Sequence, residues 1–267
     1  MKDLAPAAVA DVEQLSILLD NPPDVDLAVH TTRKGTKRLR SFLRLARRSI
    51  GTSVYRMENA ALRDTARLIA PTRDAFVLIE TAREMGASGP VFATLERLHI
   101  EEMARLESGG RVDATMRLKS IAANWRTIDW NGPEVSSICA GLTRTYRRGL
   151  ADFMSVRSQP TAAAFHTWRR RVKYVRYQLE AVGAPTKLTK VWLALGDDLG
   201  WEHDHTVLIG VCGGYPADDG FRAVAERSRA RREELQSHAL DAGDRLFVLE
   251  PVPFVESVAS MVGLEAR

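Results

Sequence analysis

The 267-residue chain contains only two cysteines, Cys139 and Cys212, far apart and in apolar surroundings. That spacing excludes a disulfide framework or a cysteine-rich zinc site and fits reduced thiols in a core. The segment Met1 to Ala10 carries Lys2 and Asp3 but no apolar run of signal-peptide length, and no later stretch is long enough to span a bilayer. A soluble cytoplasmic protein with no membrane partner is expected. Strand-like alternation is scarce, and no glycine-rich phosphate loop or Walker pattern occurs. The most telling absence is of negative charge. There is no Asp or Glu between Leu27 and Met57, and none between Ala162 and Leu179.

Those two acid-free windows hold a repeated pattern. His30-Thr31-Thr32-Arg33 with Lys37 and Arg40 returns as His166-Thr167-Trp168-Arg169 with Lys173 and Arg176, a histidine followed at +3, +7 and +10 by Arg, Lys and Arg. Wound at about 100° per residue, His30, Arg33, Lys34, Lys37, Arg40, Arg44 and Arg48 share one side of a helix. Leu39, Phe42, Leu43, Ala46 and Ile50 fall opposite. In the second copy His166, Arg169, Arg170, Lys173 and Arg176 share a face, with Trp168, Val175 and Leu179 turned away. Like charges this close repel on a helix surface, and an exposed helix usually dilutes them with acids at i+3 or i+4. The net charge is only +4 although the pI is about 9.2, so the basicity is local. Local, unrelieved and duplicated positive charge implies a site for an anionic partner.

Helical periodicity dominates the rest. Gly and Pro gather at Asn21-Pro22-Pro23, Gly86 to Pro90, Gly109-Gly110, Asn131-Gly132-Pro133, Gly183 to Pro185 and Gly213 to Pro216. Between them helices are expected near 6–20, 25–50, 54–70, 73–85, 90–107, 111–127, 134–157, 161–182, 187–199, 203–211, 218–240 and 244–262. A second repeat sets Leu68 to Leu78 against Asp198 to Leu208; in both, a helix is expected to stop and reopen at Arg73-Asp74 or His203-Asp204. The expected architecture is all-α, one domain over 1–267, with halves of about 1–130 and 131–267 forming two antiparallel bundles about a pseudo-twofold axis. In that arrangement the two His-led helices face each other and merge their cations into one channel.

The stretch Tyr146-Arg147-Arg148, then His166-x-x-Arg169-Arg170-x-Val172-Lys173-x-x-Arg176-Tyr177-Gln178-Leu179, with its earlier counterparts at Val29 to Arg40 and at Arg73-Asp74, resembles the CHAD domain family. The likeness runs over nearly the whole chain. It implies two pseudo-symmetric four-helix-bundle-like halves with a central basic surface that binds inorganic polyphosphate. By position, the implied binding residues are His30, Arg33, Lys34, Lys37, Arg40 and Arg44, then Arg144, Arg147, Arg148, His166, Arg169, Arg170, Lys173 and Arg176. Arg73, Asp74 and Asp204 form a second tier. This chain departs from the family where His203 replaces an Arg and where the first helix lacks a basic counterpart to Tyr146-Arg147-Arg148. No acidic, strand-rich segment of the kind fused to such domains in triphosphate-hydrolysing proteins precedes residue 20.

Arg offers bidentate bonds to phosphate oxygens and Lys a compact point charge, a mixture that suits a flexible line of phosphates. His30 and His166 are expected to raise affinity below neutrality. No nucleophile-base pair stands out and no cofactor is expected, so binding is expected in place of catalysis, with polyphosphate granules as one setting. His203-Asp204-His205 has the look of a metal cluster, yet residues i and i+2 diverge on a helix; no metal is expected, and Asp204 and Asp74 read as helix caps or partners of cationic side chains. Trp125, Trp130, Trp192 and Trp201 are expected in the core. Tyr146, Tyr174 and Tyr177 beside cations keep RNA or DNA as an alternative partner. A phosphate-transfer enzyme with a histidine acceptor is the third reading.

Overall fold

The computed structural model describes residues 4–131 and 134–264; Met1 to Asp3 and the Gly132-Pro133 part of the expected boundary lie outside the described residues. The elements in chain order are α1 (Leu4–Asp20), α2 (Val25–Ile50), α3 (Thr52–Leu68), α4 (Ala70–Glu84), α5 (Pro90–Arg105), a π-helical turn (Leu106–Gly110), α6 (Arg111–Thr127), α7 (Glu134–Ser158), α8 (Ala162–Ala181), α9 (Thr186–Cys212), α10 (Asp219–Leu246) and α11 (Pro251–Met261). No strand occurs among the described residues, and no helix there is long and apolar enough to cross a membrane.

The packing pattern repeats. In the first half α1 packs on α2 and α6, α2 on α3, and α3 on α6; in the second half α7 packs on α8 and α11, α8 on α9, and α9 on α10. The α3–α4 and α5–α6 pairs are thus bent versions of α9 and of the α10–α11 pair. The halves meet where α2 crosses α7 and α8 and where α4 meets α9. A single apolar core runs through both, from Ala5 and Val12 through Leu39, Leu43, Trp125, Trp168 and Trp192 to Val258, and a smaller one joins α4, α5, α9 and α10 around Leu78, Leu95, Leu208 and Phe221. Leu39, Phe42, Leu43, Ala46 and Ile50 are buried as the periodicity requires.

Asp24 caps α2 by accepting a bond from Leu27 N at 2.9 Å, and Thr161 caps α8 through Ala164 N at 3.2 Å. These caps satisfy amides that the first helical turn leaves open. Tyr146 is buried, stacks on Phe254 with ring centroids 3.9 Å apart, and donates to Leu249 O at 2.9 Å. The tyrosine of Tyr146-Arg147-Arg148 therefore anchors α7 to the segment that leads into α11.

Several expected boundaries differ. α9 is one continuous helix through Gly200, so the helix stop expected between 199 and 203 does not exist, and the second repeat has a break only in its first copy, at Ile69. The bend between α10 and α11 lies at 247–250, not near 241–243; Gly243 sits inside α10, where an added Cβ would lie 2.4 Å from Phe153 Cε2. Trp201 is 52% exposed, against the expectation of a core position.

The halves approach closely at Gly141 on α7. A Cβ there would lie 2.7 Å from Leu45 Cα and 2.9 Å from Arg44 O, both backbone atoms of α2. Gly141→Ala is expected to push α2 and α7 apart and to cost about 1–3 kcal/mol, the usual range for overpacking. Urea unfolding checks it: a midpoint unchanged from wild type would mean the crossing tolerates a methyl group.

Candidate functional site

The basic faces of α2 and α8 do meet, over part of their length. His30, Arg33, Lys34 and Lys37 from α2, Arg169, Lys173, Arg176 and Tyr177 from α8, Arg73, Asp74 and Val77 from α4, and Leu193, Asp197, His203 and Asp204 from α9 line an open cavity of about 360 Å³. Past Lys34 a groove continues along Arg38, Arg176 and Glu180. Seven of the cavity side chains are Lys or Arg and three are Asp, leaving an excess of four positive charges. The acid-free windows hold within α2 and α8; the carboxylates come from α4 and α9, and they relieve the repulsion only in part.

Direct pairing is sparse. Arg33 Nη2 meets Asp74 Oδ1 at 2.9 Å, and Arg176 Nε bonds Glu180 Oε1 at 2.7 Å. Arg33 Nη1 and Arg169 Nε are buried with no hydrogen-bond partner. Buried guanidinium donors are costly to leave open, and their orphan state marks a place where an oxygen-rich anion fits.

The electrostatics agree. Burial, then Arg169 and Arg33, pull the Lys37 ammonium down to about 8, with Asp74 and Asp204 opposing. Burial, then Arg169 and Lys37, pull Lys173 down to about 7. His166 Nδ1 faces His203 Nδ1 at 3.4 Å. Burial and the adjacent cations hold His203 down to about 3, and lower His166 and His30 as well. The histidines are thus pushed away from the neutral range, and the two lysines are pushed into it.

The remaining sequence-derived residues lie elsewhere. Arg40 Nε donates to Asn59 Oδ1 at 3.1 Å, and Arg48 is exposed. Arg170 is exposed, its Nη2 3.4 Å from Thr167 Oγ1. Arg147 borders a separate groove with Leu150, Glu250 and Val252. Arg44, Arg144 and Arg148 gather with Arg47, Arg171, Tyr55 and Tyr174 in a second, smaller hollow. There Arg44 lies 3.8 Å over the Tyr174 ring, and Arg171 pairs with Asp152 at 3.1 Å. α8 causes the separation by crossing α2 between the two groups: Ser41 Oγ donates to Tyr174 O at 2.8 Å, and Gln178 Nε2 donates to Ser41 O at 3.3 Å. The single row of cations on α2 is cut in two by this crossing.

Asp204 is not a helix cap, because it stands in the interior of α9; Asp74 is the partner of Arg33. His203 and His205 diverge, His203 lining the cavity and His205 buried elsewhere, near Arg231. Among the described residues no group of three or more His, Cys, Asp or Glu is placed to hold a metal ion. His203, Asp197 and Tyr177 were missed as cavity residues, and so were Arg47 and Arg171 in the second hollow. Asp197 precedes Asp204 by seven residues, which is the same face of an unbroken helix, a relation that the helix stop expected at 199–203 conceals.

The chain belongs to the CHAD domain family, whose model matches residues 12–212. No curated protein sequence matches it. Among solved structures it is similar to PptA from Streptomyces chartreusis, at 16% identity and a TM-score of 0.68, with 91% of this chain and 97% of that chain covered. It is also similar to the CHAD domain from the plant Ricinus communis, at 15% identity and a TM-score of 0.56, with 98% and 90% covered. At these identities the likeness is one of fold.

Proposed function

We propose that the protein binds inorganic polyphosphate in the cavity between α2, α4, α8 and α9, without catalysis, and that it serves the polymer as an adaptor or at granules. One observation carries this reading: a concave site with seven cationic side chains against three carboxylates, two of whose buried guanidinium groups keep open donors. Arg forks supply directional bonds to phosphate oxygens and the lysines supply adaptable point charges. The groove past Lys34 extends the track for further phosphates, and each one seated raises the effective concentration of the next. Family membership supports the choice of ligand.

Nucleic acid is the weaker alternative. Tyr146, Tyr174 and Tyr177, the aromatics set beside cations in the sequence, are buried, with exposures of 0%, 8% and 4%. Stacking readout needs exposed ring faces.

Competition tests the proposal. Labelled long-chain polyphosphate bound to the protein is challenged with matched phosphate equivalents of RNA, single-stranded DNA, pyrophosphate, triphosphate and unlabelled polymer. The polymer is expected to displace the label best, and raising salt is expected to weaken binding steeply through counterion effects. Equal displacement by RNA would remove the ligand assignment. Acid-labile phosphate on the incubated protein would instead favour phosphate transfer to a histidine.

A further inference from the structure

The cavity carries an anion of its own. Gly196, Gly200 and Asp204 recur every fourth residue of α9, so they climb the side of that helix that meets α8. At the two glycines this side has no side chain, and basic groups of α8 fill the space. A Cβ at Gly200 would lie 3.8 Å from both Arg169 Nη2 and Lys173 Nζ, and one at Gly196 would lie 3.8 Å from Lys173 Cγ. One turn further on, the row ends in the Asp204 carboxylate, which lines the cavity. Burial pushes its carboxyl above the usual carboxylate range, and Arg169, Lys173, Arg73 and Lys37 oppose that shift through space. Yet among the described residues no ion pair or hydrogen bond ties Asp204 to any of them, whereas Asp74 is in direct contact with Arg33.

We infer that Asp204 is a resident counter-ion of the empty cavity, placed to offset its positive charge and to oppose an incoming phosphate, and that it thereby limits affinity. The inference rests on the polyphosphate reading of this cavity. A carboxylate meant to orient an arginine would grip it in a fork-to-fork contact. Asp204 acts at a distance, as a diffuse balance to four cations. A phosphate seated among those cations meets a like charge that cannot leave. A compact anion confined to the cavity takes the whole penalty, while a polymer can set its phosphates along Lys34, Arg38 and Arg176, away from Asp204. Asp204 therefore favours long chains by penalising short ones.

Asp204→Asn in the full chain tests this, with titration calorimetry of pyrophosphate and of long-chain polyphosphate at fixed salt, with EDTA and then with Mg2+, and with thermal melting of the free protein. Removing one like charge at short range is expected to tighten pyrophosphate binding about tenfold and polymer binding about threefold or less. Burial disfavours the Asp204 charge more than the cations favour it, so the melting temperature of the free protein is expected to hold or rise. Unchanged or weaker binding by the folded variant in EDTA overturns the inference, and so does a loss seen only with Mg2+, which would make Asp204 a cation ligand. Gly200→Asp is the reciprocal variant: it adds a carboxylate beside Arg169 and Lys173 and is expected to weaken polymer binding. Stronger polymer binding by Gly200→Asp overturns the inference even if Asp204→Asn does not fold. If wild type binds no polyphosphate, the ligand assignment fails, while tighter pyrophosphate binding by Asp204→Asn still reports on the counter-ion.

Discussion

Replacing Lys173 with Met is expected to make the free protein more stable and the polyphosphate complex weaker. Burial and the neighbouring Arg169 and Lys37 bring the Lys173 ammonium from 10.5 down to about 7. At about 1.4 kcal/mol per unit, the charged form is disfavoured by on the order of 5 kcal/mol relative to the unfolded chain. The sign follows from proton binding. Between pH 7 and 10.5 the unfolded chain holds more protons at this site than the folded one, so wild-type stability rises with pH across that window and carries the whole penalty below pH 7. Met keeps the packing of the stem and removes the charge. A melting temperature higher by on the order of 5 °C at pH 6.5, with a flatter pH dependence, is the expected result. A bound polyanion restores the proton, so wild-type affinity should decline as pH climbs through 7 and 8, where Lys173 and then Lys37 discharge. His30→Ala/His166→Ala should keep that decline, since both imidazoles are shifted below their usual range. Loss of the decline in the histidine variant, or a lower melting temperature for Lys173→Met, would contradict the electrostatic picture.

Simultaneous replacement of Arg33, Lys37, Arg169 and Lys173 by Ala should abolish binding. These four line the cavity, none belongs to either apolar core, and two have buried donors without partners. Hydrogen bonds to charged groups are worth about 1.5–3 kcal/mol each, so a loss of more than a hundredfold is expected even if the contacts overlap. Far-UV circular dichroism should match wild type, because the buried faces of α2 and α8 are untouched. Collapse of helicity would make these residues structural. Retained affinity in a folded variant would move the site to the hollow around Arg44, Arg144 and Arg148.

The α2 and α8 faces were legible because a 3.6-residue period separates cations from Leu39, Leu43, Trp168 and Leu179 without any knowledge of neighbours. The course of α9 was not. Gly200 reads as a stop, yet a glycine inside a helix costs only about 1 kcal/mol, and here it clears space for Arg169 and Lys173. Once that helix is cut in two, Asp197 and Asp204 no longer share a face, and the carboxylates opposite the cations disappear from view. The fate of Arg40 and Arg44 depends on where α8 crosses α2, through Ser41, Tyr174 and Gln178. Nothing in the spacing of the basic residues specifies that crossing.

If the cavity holds polyphosphate as proposed, the sequence repeat shared by α2 and α8 bears on how a uniform chain approaches. Inorganic polyphosphate reads the same from either end, and a receptor built from two similar walls offers comparable grips to a strand arriving in either sense. Fewer encounters are then wasted on the wrong orientation than with a polar ligand such as RNA, whose 5′ and 3′ directions differ.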